Sequence, residues 1–582
     1  MPTAELPRRW AWWLLAGVLA LGLGLRLWGI RQGLPYAYNA DEADHFVPRA
    51  VSMFAHGLNP HYFANPPAYT YLLHILFSIA YGGGHGVLHE FAFHPASVYT
   101  LARAAAAVLG VLALWLTYLA GARLIGRAGG LIAAAIEAVA FLPTYYSHVA
   151  VNDVPTLAPL ALSLLGSAGV LRTGRTREVL LAAAGLGLAC ASKYTAGVAL
   201  APLLAAIAAN YVRAGSGAER RALAHLGLAA AVSLGFFLLA NPYSVLDYSA
   251  FHSGVIHEST LTSEAQGKLG EPRHGGLLYY LWSLTWGLGW APALAALGGA
   301  IAVWRRERAL GWLLVPAPVG FLIFMGLQGR YFGRWLMPIV PILCLLAALF
   351  VLQLASAAGG AWARVRAGRV RVGTASAAAS ALLSSALLAQ GLTHSIHSGL
   401  VLSRADTRNL TRAWLVAHVP RGAAIVAEPV SPDEWARETR PGTATSRNLY
   451  RWKKYASLES RITPSGALSS ARPRSVTLEN YVRTLSPALL GYYERNGYCW
   501  VISGSTQSGR ALADPRAVPH AIAYYRALER EGEVVYRASP YARGAGPVAF
   551  GFDWSFNYYP LSYERPGPAM TVYRLHGGRC GP

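Results

Sequence analysis

Four ionisable side chains crowd into the stretch DEADH: Asp41, Glu42, Asp44 and His45. Carboxylates and an imidazole this close together can take up a proton, pair with a cation or meet a polar ligand. Immediately afterwards Phe46, Val47, Ala50, Val51 and Phe54 share one helical face, the pattern of a helix lying flat on a membrane surface. Acidic groups beside a bilayer are costly to desolvate, which marks them as candidates for a functional site. Carboxylates also suit the positive end of a helix dipole, and local sequence alone weighs the two readings equally.

The elements that must position this cluster are apolar. The chain has 582 residues, 54% hydrophobic and 13% charged, with a mean hydropathy of +0.33. That is too apolar for an ordinary soluble protein and describes a polytopic α-helical membrane protein. The net charge of +22 does not point to nucleic acid, because the arginines stand in small groups between apolar runs instead of along one stripe. They act as topology signals. No Cys/His spacing suits a metal. Cys190 and Cys344 fall inside apolar runs, whereas Cys499 and Cys580 lie in a polar region where an oxidising space would allow one disulfide.

A spanning helix needs about 20 apolar residues. The first span, from about Trp10 to Ile30, follows Arg8 and Arg9, which puts the N-terminus in the cytoplasm, as a retained anchor, and the acidic loop 31–97 outside. Residues 69–84 form a short apolar run with no basic flank and are expected to be interfacial or re-entrant. The second span (98–123) carries Arg103 near its external start, and the third (130–146) leads to an external turn holding His148, Asn152 and Asp153. The fourth (155–171) returns to RTGRTR, and the fifth (179–191) and sixth (195–211) meet at Lys193 on the external face. The seventh (222–240) delivers a long external loop, the eighth and ninth (277–303, 310–327) expose Arg330 and Arg334 outside, and the tenth and eleventh (335–357, 373–393) complete the count. The expectation is a membrane domain over 1–397 with about eleven transmembrane helices. Residues 398–582 should form an extracytoplasmic α/β domain: SRADTRNLTRAWLVAHV and AIAYYRALEREG have helical spacing, and GAAIVAEP, YCWVISGS, EVVYRAS and TVYRL have that of strands. Between Pro441 and Pro473 a long loop is expected.

Several segments together resemble one family. DEADHF, NPPAY, LARAAAAVLGVLALWLTYLAGARLIGR, PTYYSHVAVNDVPTL, SKYTAGVAL, NPYSVLDYSAF and RWLMPIVP, in this order and at these separations, look like the GT-C glycosyltransferases of the protein O-mannosyltransferase and aminoarabinose-transferase type. The resemblance covers most of 10–345 and implies a bacterial or archaeal enzyme of the plasma (inner) membrane, taking a sugar from a polyprenyl-phosphate donor to an extracytoplasmic protein, lipid or glycan acceptor. It also implies that a first-loop carboxylate is the general base. The chain departs from the mannosyltransferase pattern in having Asn65 where His precedes the two prolines.

Direct inverting transfer needs a carboxylate to receive the acceptor proton, and Asp41 or Glu42 suits that role. Asp41 is preferred, because it stands furthest from the interfacial helix and matches the family's catalytic Asp. Cations must stabilise the departing phosphate, and Arg103, Lys193, Arg330 and Arg334 are the candidates on that face. His45 and Asp153 are candidates for acceptor or metal contacts. Such a site admits a divalent cation without demanding one, and no other cofactor is called for. Two other readings compete, a flippase for lipid-linked sugars and a non-catalytic subunit of an envelope complex. Transfer from a prenyl-phosphate sugar in detergent separates an enzyme from both.

Overall fold

The computed structural model describes residues 6–215, 217–263, 269–270, 275–365, 372–439, 446–453, 461–462, 468–469, 481–551 and 561–581. Helix α1 (Arg8–Leu27) precedes the acidic loop, in which a π-helical turn, Glu42–Phe46, runs into α2 (Val47–His56). Phe46, Val47, Ala50 and Val51 are buried and Phe54 packs on the same core, as the helical spacing requires. Helices α3 (Ala68–Tyr81) and α4 (Gly84–Phe93) are bent by 92° at their junction, a broken or re-entrant element where one was expected.

α5 (Pro95–Val139) is a hairpin and not one rod. Gly126 has φ 86°, a conformation natural to glycine, and reverses the chain so that Gly121 faces Gly130. The second and third expected spans are its two arms. After α6 (Phe141–Tyr146) come α7 (Leu157–Thr173), α8 (Thr176–Ser192), α9 (Leu200–Ala214) and α10 (Glu219–Ala240). α7 and α8 touch backbone to backbone: a Cβ on Gly185 would sit 2.4 Å from the Ser163 nitrogen. Small residues allow that approach where water cannot drive helices together. Two short helices follow, α11 (Tyr243–Leu246) and α12 (Tyr248–Ser263), and then α13 (Gly276–Leu284) with α14 (Trp290–Arg306) and α15 (Arg308–Leu314) with α16 (Pro316–Gly326), each pair running on as one span. α17 (Val340–Val365) is the buried centre of the bundle, packed on α5, α14 and α18 (Val372–Leu402).

Among the described residues eight helices are long and apolar enough to cross a membrane, or nine if α3 and α4 count as one. α7 and α8, at 17 residues each, fall just short of the others, and α5 supplies two arms. Every one of the eleven expected segments is therefore helical.

The C-terminal region begins with α19 (Thr407–His418), whose first turn is capped by Asp406 accepting from the Arg408 amide at 2.8 Å. Its sheet contains β1 (Ala424–Ala427), β2 (Arg451–Lys453), β3 (Tyr498–Gly504), β4 (Glu533–Ala538) and β5 (Met570–Arg574) in the order β2-β1-β3-β5-β4. β1 runs parallel to β2 and β3, while β5 is antiparallel to β3 and β4. β1 is buried along its whole length, which explains its unbroken AIVA. Helices α20 (Ala488–Arg495), α21 (Ser505–Ala513) and α22 (Pro519–Glu531) complete the layers. β2 corrects the expected long loop between Pro441 and Pro473, much of which lies outside the described residues. Cys499 and Cys580 are disulfide-bonded.

Contacts from the first loop and from the loop after α12 join this region to the membrane bundle. Tyr38 donates to Asn409 Oδ1 at 2.6 Å, accepts from Trp435 Nε1 at 3.3 Å and lies under the Arg408 guanidinium. Leu269, from the loop after α12, is buried in the core formed by Tyr481, Tyr493, Tyr524 and Tyr573. A reporter inserted at 421–422 should lie on the opposite side of the membrane from one inserted at 215–218; protease protection of both on one side would refute the expected topology.

Candidate active site

The first loop is pinned before it can present anything. Glu42 is fully buried and accepts from both Arg103 Nε and Nη2 at 2.7 Å, and from the Ala150 amide at 2.8 Å. Arg103 Nη1 reaches the carbonyls of Ile30 and Gln32 at 2.9 and 2.8 Å. These two residues were expected as a base and a phosphate ligand. The geometry assigns them elsewhere: both side chains are wholly inaccessible, saturated by each other and by backbone groups. Nor does Glu42 meet helix-start amides, the role its position suggested.

Asp41, one residue earlier, points the other way. It lines a cavity of about 710 Å³ with His45, Asn65, Asp153, Lys193, Arg330 and Arg334. Arg334 Nη2 stands 2.8 Å from Asp41 Oδ2, and its Nε is 4.0 Å from Asp153 Oδ2. The other oxygen of Asp153 is ion-paired with Lys193 Nζ. Lys193, Asp153, Arg334 and Asp41 thus form a row of alternating charge on the cavity wall. Asp153 does not cap α7, since Thr156 occupies that position and no side chain caps the helix. The 3-10 turns Tyr194–Ala199 and Gly333–Ile339 hold Lys193 and Arg334 in place just ahead of their spans. Arg330 stacks toward Phe332, 5.5 Å from the ring centroid, and Arg334 lies over the same ring at 4.9 Å.

His45 stacks on Tyr62 with 4.5 Å between centroids, and burial lowers its pKa despite the nearby Asp41 and Asp44 carboxylates. It makes a cavity wall and not a second cationic centre. Burial pushes the Tyr62 hydroxyl up to about 12; this group accepts from Asn65 Nδ2 at 3.1 Å, and Asn65 in turn accepts from Asn152 at 3.3 Å. Asn65, where the family pattern has His, is therefore part of a neutral amide relay along the same wall. His148 is structural, bonded to the carbonyl oxygens of Tyr145 and Trp28.

Glu258, Tyr62 and Arg510 are among the cavity residues that escape sequence reasoning. Glu258 sits on α12 in a loop with no other distinguishing pattern, and burial raises its pKa. Tyr62 gave no signal, and Arg510 comes from α21 in the C-terminal region, where it is fully buried yet borders the cavity. Among the described residues no three His, Cys, Asp or Glu side chains gather closely enough to hold a metal ion.

Residues 95–240 match the family model described as dolichyl-phosphate-mannose-protein mannosyltransferase. The apo oligosaccharyltransferase of Archaeoglobus fulgidus superposes with a TM-score of 0.53 over 94% of this chain and 75% of that one, at 13% identity. This is the GT-C fold. Two further structures align with this GT-C chain: the same archaeal enzyme tethered to an acceptor peptide (TM-score 0.50, 13% identity, 94% and 74% covered) and ArnT from Cupriavidus metallidurans bound to undecaprenyl phosphate (TM-score 0.48, 14% identity, 97% and 98% covered). No curated protein sequence matches the chain.

In this GT-C chain the buried and cavity-lining acids should separate cleanly in stability. Arg103→Ala leaves the Glu42 charge buried and unpaired and should cost about 3–5 kcal/mol. Asp41→Asn, at a site 30% exposed, should shift thermal unfolding in detergent far less.

Proposed function

We propose that this protein transfers a sugar from a polyprenyl-phosphate donor to an acceptor on the outer face of the plasma (inner) membrane, by direct inverting displacement. One observation carries the reading: Asp41, Arg334, Asp153 and Lys193 line a single cavity whose other wall, built from Leu261, Phe324, Met325 and Trp335, is apolar. A lipid-linked anion needs both surfaces. The matching family's description, which names dolichyl-phosphate mannose, supports the donor class. The Cys499–Cys580 disulfide and the arginine groups Arg8–Arg9, Arg123–Arg127 and Arg213–Arg221 support an extracytoplasmic site and C-terminal domain.

In this mechanism the donor phosphate takes over Arg334, with Lys193 and Arg330 completing its charge-assisted bonds. That exchange releases the Asp41 carboxylate. The acceptor attacks the anomeric carbon, the bond from that carbon to the phosphate oxygen breaks, and Asp41 receives the acceptor proton. The electron pair leaves on the prenyl phosphate, where the three cations stabilise the growing charge. Asp153 keeps the Lys193 ammonium facing the cavity. The amide relay of Asn65 and Asn152 lines the end where polar acceptor groups enter.

The test is transfer from synthetic prenyl-phosphate sugars in detergent, across a panel of hexoses and pentoses. Asp41→Asn keeps the shape and removes the proton acceptor, and should lower turnover about a hundredfold to ten-thousandfold with donor binding retained. Full activity in the folded variant would move the base elsewhere. Arg334→Ala and Lys193→Ala should each raise KM for the donor; unchanged KM in both would remove them from the phosphate site.

A further inference from the structure

Glu258 is the cavity's third carboxylate and differs from the other two in its surroundings. Asp41 and Asp153 are each ion-paired, whereas among the described residues Glu258 makes no hydrogen bond or ion pair. It nevertheless lies within electrostatic reach of Arg330, Lys193, Arg334 and Asp41. Its helix is held firmly. Phe251 packs edge-on against Phe63 at 5.9 Å and against Tyr194 at 6.4 Å, Gly254 abuts the Phe63 backbone, and the Thr262 carbonyl accepts from the Gly329 amide at 2.9 Å. A carboxylate fixed beside three cations that already have partners opposes any anion they bind.

That opposition differs between donor and product. A prenyl-phosphate sugar is a phosphodiester with one negative charge. Breaking the bond from the anomeric carbon to oxygen leaves a phosphomonoester, which carries about 1.5 to 2 negative charges near neutral pH. Like charges in a partly buried site repel more strongly than in water. We infer that Glu258 is a product-discriminating residue: it penalises the monoester product more than the diester donor and so drives release of the spent prenyl phosphate. The inference rests on the cavity being the lipid-phosphate site.

The experiment measures binding of three probes to the full chain in detergent at about pH 8: decaprenyl monophosphate, its methyl diester and uncharged decaprenol. Glu258→Gln should tighten the monophosphate about tenfold, the diester about threefold and the alcohol not at all, and Glu258→Ala should behave alike. Tightening is a change that a damaged fold does not produce. Equal effects on the two phosphates, no effect, or weaker binding would overturn the role of Glu258, provided that the parent prefers monophosphate to alcohol and Arg334→Ala abolishes the preference. A parent that binds alcohol and monophosphate equally would overturn the phosphate site itself and this inference with it.

Discussion

The buried pair of Glu42 and Arg103 is the constraint on which the site depends. One carboxylate gathers the first loop, the first arm of α5 and the turn at Ala150, and one guanidinium adds the carbonyls that end the first span. Such a pair stabilises little when compared with apolar packing of equal volume, because both ions must be stripped of water. Its value is geometric. With Glu42 locked inward, the residue before it is turned outward, and the Ala150 turn brings Asp153 to the same cavity.

A second constraint comes from the C-terminal region. Tyr38 lies three positions before Asp41 and is held by Asn409 and Trp435, while Asn409 also donates to the Gly33 carbonyl at 3.0 Å. The acidic loop is therefore fixed on both sides of its catalytic candidate, by the bundle behind it and by the C-terminal region in front. Preorganisation of this kind lets a short polar segment hold its geometry next to a bilayer.

Much of the fold was legible because apolar length and basic flanks are strong signals. The eleven helical segments, the face of α2 and four of the five strands of the sheet all sit where periodicity puts them. Gly126 explains why two spans merge into one element, and β2 was hidden because RWK in a polar stretch has neither length nor alternation. Of the cavity's residues, Asp41, Lys193, Arg330 and Arg334 were legible from residue type and expected membrane side. Glu42 and Arg103 were not distinguishable from them, since only the direction of a side chain separates a buried pair from a cavity wall. Glu258 and Arg510 come from segments with no local pattern, and only the tertiary fold brings them near Asp41.

The burial of Leu269 has a consequence for the order of assembly. Its pocket includes Tyr573 and Leu575, which flank or belong to the strand joining β3 and β4. Synthesis proceeds at about 5–20 residues per second, so the loop beyond α12 waits roughly 15–60 s before its partner residues leave the ribosome. During much of that interval Leu269 lacks its pocket and the cavity lacks Arg510, although the helices up to α12 have been made. Completion of the cavity is thus coupled to folding of the C-terminal sheet.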